Sequence, residues 1–180
     1  MNTYKDTFEK ETLKKVQEAL KLDNVMAVPR LKKIVVNTST KDFLVDKKNL
    51  EKAAEDLETI TGQKPKIAKA KVSIATFKLR EGEKLGLVVT LRGKRMYDFY
   101  EKLVKIVFPR VRDFSGVSDK WFDGQGNLSI GFAENTVFPE IDPGKVDKIR
   151  SLQLTIVTNA PDDKQAKELL TAMGMPFKKN

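Results

Sequence analysis

Apolar residues recur along the chain at two periods, and the switches between them predict the elements. Tyr4, Phe8, Val16 and Leu20 fall at helical spacing with Thr12 in the gap. They predict a first helix over roughly residues 3–21, ended by Asp23-Asn24. Residues 31–37 (LKKIVVN) are short and β-branched and predict a strand. Asp46 can cap a second helix that carries Leu50, Ala53, Ala54, Leu57 and Ile60 on one face. Gly62 suits the position that stops it. Residues 87–92 (LVVTLR) predict another strand. Met96, Phe99, Tyr100, Leu103 and Val107 outline a third helix, expected to end before Pro109 because proline forces its predecessor out of the helical region. Residues 128–132 and 152–157 read as further strands. Asp162 or Asp163 opens a last helix with Ala166, Leu169, Leu170 and Met173, stopped at Gly174. No internal repeat, low-complexity tract or flexible linker divides the chain.

The strands are one-sided. Side chains alternate across a strand, so Lys33, Val35 and Asn37 oppose Ile34 and Val36, and Val88, Thr90 and Arg92 oppose Val89 and Leu91. Ser129 and Gly131 oppose Leu128, Ile130 and Phe132; Gln153 and Thr155 oppose Leu152, Leu154 and Ile156. The expected architecture is therefore a single α+β domain over residues 1–180, an antiparallel sheet with helices packed on one face only. The other face would carry Lys33, Asn37, Thr90, Arg92, Gln153 and Thr155. Such a surface can bind RNA through phosphates, 2′-hydroxyls and groove edges, or it can simply face water. Composition does not separate the two.

Charge sharpens the picture. The 180 residues hold 34 Lys and Arg against 25 Asp and Glu, a net charge of +9. Lys64, Lys66, Lys69, Lys71, Lys78 and Arg80 follow one another with no acid between residues 63 and 80, giving +6. Residues 92–112 add seven basic residues against Asp98 and Glu101, giving +5. The two stretches hold +11 of a chain that totals +9, so the remainder is −2. A field concentrated in this way attracts polyanions by counterion release. Neither stretch pairs a wide apolar face with its basic one, as a membrane-surface helix would. No apolar run approaches the roughly 20 residues of a membrane span, and the polar start has no signal-peptide core. The expectation is a soluble cytoplasmic protein with no membrane partner.

Catalytic chemistry finds little to work with. There is no Cys and no His, which excludes disulfides, thiol nucleophiles, Cys or His zinc sites and Ser-His-Asp triads. Asp123-Gly-Gln-Gly-Asn127 contains Gly-x-Gly but lacks the third Gly and a following helix, so it reads as a turn rather than a phosphate loop. Asp162 and Asp163 suit a helix N-terminus better than a metal. Glu51, Glu55 and Glu58 lie on a helix face, and no carboxylates converge as a two-metal nuclease requires. Trp121, Phe122 and Phe114 bracket a loop and read as packing residues. A structural RNA-binding protein is the leading reading; an RNA-processing enzyme on a basic scaffold is the alternative. No cofactor or metal is expected.

Several blocks then fall into a known order. Residues 57–65 (LETITGQKP), 70–73 (AKVS), 28–37 (VPRLKKIVVN) and 77–82 (FKLREG) resemble the signature of the bacterial family of the fifth protein of the large ribosomal subunit. Residues 89–93 (VTLRG), 109–114 (PRVRDF), 122–124 (FDG), 138–142 (FPEID) and 155–158 (TIVT) continue the match over nearly the whole chain. The chain departs from the family pattern after Asn37, where Ser39 and Lys41 stand for glycines, and before Phe77, where Thr76 does. Loss of Gly removes easy access to positive φ at those loops.

The resemblance implies an α+β ribosomal protein that binds 5S rRNA in the central protuberance, alongside 23S rRNA and other proteins there. It also implies contacts with the P-site tRNA and, across a subunit bridge, with the thirteenth small-subunit protein. It makes residues of about 1–83 rich in 5S contacts, with about 84–180 as the second half. Asn37, Gln63, Thr90 and Phe77 match its RNA-recognition set. Lys33, Lys64, Lys66, Lys69, Lys71 and Arg92 are the candidates for phosphate contacts. The segment 71–82, with Ser73, Thr76, Lys78, Arg80 and Gly82, matches a loop that reaches the tRNA elbow. The bridge maps onto 109–116 and 138–145, on the side away from the RNA, with Arg110, Arg112, Asp113, Glu140, Asp142 and Lys145.

Overall fold

The structure, a computed structural model, describes residues 12–40, 42–45, 47–144 and 148–178. The expected helix positions Tyr4 and Phe8, the cap Asp46 and the bridge candidate Lys145 lie outside the described residues. Helix α1 (Leu13–Leu20) buries Leu13 and Val16 and ends with Lys21 in the left-handed conformation. Strand β1 spans Leu31–Ser39, followed by a short helix α2 (Asp42–Val45), helix α3 (Lys47–Thr61) and strand β2 (Lys66–Lys69). Strand β3 (Lys84–Leu91) leads into helix α4 (Gly93–Lys102), a π turn (Leu103–Val107) and a short helix α5 (Phe108–Arg110). Strands β4 (Leu128–Phe132) and β5 (Leu152–Thr158) and helix α6 (Asp163–Ala172) complete the chain. The five strands form one antiparallel sheet in the order β2-β3-β1-β5-β4.

The expected strand faces are present except at Arg92, which lies past the end of β3 as the N-cap of α4. Ile34, Val36, Val89, Leu91, Leu128, Ile130, Phe132, Leu152, Leu154 and Ile156 are buried. Their alternates are half-buried or exposed: Lys33, Val35 and Asn37 on β1, Val88 and Thr90 on β3, Gln153 and Thr155 on β5. Two elements were not foreseen, α2 and β2. Strand β2 is short and mostly exposed, with no apolar face of its own. It exists because it pairs with β3, Lys66 opposite Val88, Ile67 opposite Leu87 and Ala68 opposite Gly86, with a bulge after Ala68.

The third helix does not stop before Pro109. The Phe108 N–H reaches back to the Leu103 carbonyl, a π-type bond five residues long. The wider turn carries the chain through Pro109 to Arg110. At a constant period of 3.6 residues, Phe108 would fall at the margin of the buried side, near Tyr97, and Arg110 would turn toward the middle of that side. The extra residue in the turn rotates Phe108 inward, where it is 1% exposed and stacks on Phe114 at 4.8 Å.

By its internal contacts the chain divides into two compact units. The first comprises residues up to Ile34, Leu91–Ile130 and Leu154 onward. In it α1 packs on α6, and Met96, Phe99, Tyr100 and Leu103 are buried together with Ala166, Leu169 and Leu170. Asp162 caps α6 by accepting the Gln165 N–H at 2.8 Å. The second unit comprises Val35–Thr90 and Gly131–Gln153. Leu50, Ala53, Leu57 and Ile60 of α3 are buried there, as the periodicity predicts. The buried Arg150 guanidinium donates to the Asp56 carboxylate at 2.9 Å, and its backbone N–H donates to Asn135 Oδ1. The Thr38 hydroxyl donates to the Ser151 carbonyl at 2.8 Å.

Candidate nucleic-acid interface

In the second unit the open side of the strands forms a concavity of about 670 Å³. Its floor is made of small residues, among them Ser39, Ala68, Gly86, Gly131 and Ala133, with Asn37, Gln153 and Lys69 also lining it. A floor of short side chains lets a broad partner approach the backbone of the strands. Cross-strand partners in an antiparallel pair share a side of the sheet. Lys66, opposite Val88, therefore projects from the open side, whereas Ile67, opposite the buried Leu87, faces away from it.

Of the predicted 5S-binding residues, Asn37 and Lys69 line this concavity, and Gln63 meets Thr90 farther along β3. The Gln63 amide donates from Nε2 to the Thr90 carbonyl at 3.2 Å. That bond holds the Gln63 side chain by its donor end and leaves the amide oxygen to act as an acceptor. Gly62, at φ +66, turns the chain out of α3 to place Gln63 there. Asn37 and Thr90 are half-buried, and Lys64, Lys66, Lys69 and Lys71 are exposed. Lys33 and Arg92 belong to the first unit, not to this one. Sequence reasoning missed the floor: Ala68, Gly86 and Ala133 carry no chemical signal, and only the pairing of β2 with β3 reveals two of them.

The segment 70–83 is an excursion closed at its base by paired backbone bonds. Ala70 N–H donates to Glu83 O at 2.8 Å and Gly82 N–H to Ala70 O at 3.0 Å. Midway, Ile74 and Leu79 form a bridge, and Ser73 Oγ accepts the Glu81 N–H at 2.9 Å. Residues 71–78 are all exposed, with Val72 at 67% and Phe77 at 55%. The positive φ values fall on Lys78 and Gly82, not on Thr76. Ser39 likewise needs none; it continues β1 and its hydroxyl donates to Leu85 O. Lys41 lies outside the described residues. The missing glycines are thus replaced without strain at Ser39 and Thr76.

None of the described bridge candidates lines this concavity. Arg110 and Arg112 are exposed in the first unit, and Asp113 turns the chain there with φ +54. Asp119 pairs with Lys167 at 2.7 Å. Glu140 and Asp142 are exposed in the second unit, where Asp142 accepts the Gly144 N–H. Phe122 stacks on Phe177 at 6.1 Å, a packing role as expected.

The Gly-x-Gly segment is a turn with its amides already engaged. Asp163 accepts the Gly124 N–H at 3.1 Å and the Gly126 N–H at 2.8 Å. Asp123 Oδ1 accepts the N–H groups of Gln125 and Asn127, and Oδ2 accepts the Asn127 amide. Partial burial pushes the Asp123 carboxyl up, but these hydrogen bonds outweigh it and hold it below its ordinary value. A phosphate would find no backbone N–H of 123–127 free. Among the described residues no group of acidic side chains is placed to hold a metal ion, and no described helix is long and apolar enough to cross a membrane.

Sheet, concavity and charge define an α+β protein with a polar strand face and a basic flank. Residues 24–80 match ribosomal protein L5, and residues 84–177 match the C-terminal region of the same ribosomal family. The large ribosomal subunit protein uL5 of Syntrophomonas wolfei is 50% identical over 173 residues, covering 96% of this chain and 97% of that protein. The chain belongs to the ribosomal protein L5 family. It is a structural constituent of the large ribosomal subunit and not an enzyme.

Proposed function

We propose that the open strand face of the second unit binds 5S rRNA and so helps anchor it in the central protuberance, beside 23S rRNA and neighbouring proteins. The concavity carries this reading. It combines a floor of small residues with Asn37 and Gln153, and the exposed Lys66 and Lys69 stand beside it on β2. Amides and hydroxyls can pair with ribose 2′-hydroxyls and base edges, while lysines neutralise phosphates. Asn37, Gln63 and Thr90 supply recognition, and Lys64, Lys66, Lys69 and Lys71 supply the salt-sensitive part; Lys33 and Arg92, in the first unit, are phosphate contacts of that unit. The exposed Phe77 ring offers a stacking surface. Neutralising roughly five phosphates gives a slope of log affinity against log salt of about −3 to −5. Replacing Asn37, Gln63 or Thr90 singly by Ala is expected to weaken 5S binding in a gel-shift titration with the melting temperature unchanged. Intact affinity in all three variants overturns the assignment.

Two further contacts complete the proposal. The exposed 70–83 excursion, with Ser73, Thr76, Lys78, Arg80 and Gly82, reaches the P-site tRNA. Crosslinks from Lys78 in programmed ribosomes should include tRNA; protein alone would refute it. Arg110, Arg112, Asp113, Glu140, Asp142 and Lys145 form the subunit bridge to the thirteenth small-subunit protein. Exposed ion pairs are worth about 0–1 kcal/mol each, so this contact can slide. Charge reversal at Glu140 and Asp142 should loosen subunit association and spare 5S binding.

A further inference from the structure

The basic stretch 92–112 is left largely unused by that reading, and the structure gives it a shape. Met96, Tyr97, Phe99, Tyr100, Leu103, Val107 and Phe108 are all buried. The outer side carries Lys94, Arg95, Asp98, Lys105, Ile106 and Arg110, all exposed. The cations of this edge run from Lys94 and Arg95 of α4 to Lys105 of the π turn. Lys105 pairs with Glu101 at 2.6 Å. Among the described residues no carboxylate pairs with Lys94, Arg95 or Arg110.

Helices α3 and α6 differ. The α3 sequence KKNLEKAAEDLETIT and the α6 sequence DKQAKELLTA mix both signs at helical spacing, as solvated faces do. The α4 edge is unbalanced, and its two leading cations stand together with no carboxylate partner among the described residues. An unbalanced cationic edge on a rigid helix fits a regularly spaced row of anions.

We propose that the outer edge of α4, led by Lys94 and Arg95 and continued by Lys105 of the π turn, is a second RNA-binding surface. It grips the sugar–phosphate backbone of an rRNA segment without reading its sequence. It belongs to the first unit and differs from the strand-face site in chemistry, having cations but no amide or hydroxyl set for base edges.

The test uses the full chain saturated with 5S rRNA and a labelled, unrelated short RNA duplex as probe. The wild-type complex should capture the duplex at low salt. Lys94→Glu/Arg95→Glu should capture it at least fivefold more weakly, with a salt slope lower by about 2. Its melting temperature and 5S affinity should match wild type, and Lys94→Ala/Arg95→Ala should show the same direction. Lys14→Glu/Lys15→Glu on α1, an equal change in net charge, should lose less than twofold. Equal capture by wild type and the Lys94/Arg95 variants overturns the proposal. So does equal loss in the α1 variant, which would reflect bulk charge alone. A parallel loss of 5S affinity overturns it too, by merging this edge with the first site. Retained duplex capture with lost binding to polyglutamate would assign the edge to an acidic protein instead. Failure of the strand-face reading shows separately, as unchanged 5S affinity in the Asn37, Gln63 and Thr90 variants.

Discussion

Two glycine-containing loops make opposite use of their polar groups. In 123–127 the amides of Gly124, Gln125, Gly126 and Asn127 are all bonded to the carboxylates of Asp123 and Asp163. In 70–83 the bonds sit at the base and along one side, and the cations and apolar side chains at 71–78 stay exposed. The first loop is a structural clasp and the second a presentation device. Glycine content does not tell them apart; what distinguishes them is where the hydrogen-bonding capacity has gone.

That contrast can be broken at the glycines. A Cβ on Gly126 would lie 2.9 Å from the Ala160 carbonyl oxygen and 3.1 Å from Ala160 Cβ, at φ +75. Both clash and left-handed strain oppose a side chain there, so Gly126→Ala should cost about 3 kcal/mol or more in urea unfolding. A cost under about 1 kcal/mol would show that the clasp yields freely. Next comes the carboxylate that binds the clasp from α6. Asp163→Ala frees two backbone donors and should cost about 2 kcal/mol. A denaturation midpoint equal to wild type would refute the clasp.

The presentation loop should be far more tolerant. Gly82 has φ +85, but a Cβ there meets nothing within 4 Å. Gly82→Ala should therefore cost only about 1 kcal/mol, from backbone strain alone. A loss as large as that of Gly126→Ala would erase the distinction between the loops.

The smallest effect is the pH dependence of the clasp. The folded Asp123 pKa lies below its ordinary value of 3.8. Its contribution is therefore present above that ordinary value and is lost as pH falls through the lowered folded one. Asp123→Asn should flatten this acid limb of the stability curve relative to wild type. Identical acid limbs in the two proteins would show that the carboxylate charge is immaterial.

Much of the fold was legible because its signals are local. The alternation of Ile34 and Val36 with Lys33, Val35 and Asn37 set the faces of β1, and Gly62 and Gly174 marked where α3 and α6 end. The candidate site was legible in part. Asn37 and Thr90 fell on the open face by period alone, and Lys64 to Lys71 stood out by charge. Gln63 carried no signal beyond the resemblance, since its value lies in a bond to a carbonyl 27 residues away.

The sequence by itself determined the strand faces, three helix faces and the concentration of charge, because each depends on side chains within a few residues of one another. Tertiary structure alone decided the rest. Strand β2 has no apolar face and is a strand only because β3 lies beside it. The helix passes Pro109 only because a π turn seats Phe108 against Phe114 in the core. The Gly-x-Gly turn is closed to phosphate only because Asp163 arrives from 37 residues farther along to bond Gly126. Each of these outcomes rests on which distant segments meet. Local periodicity carries no information about that, because packing and long-range hydrogen bonds form only once the sheet has brought the segments together.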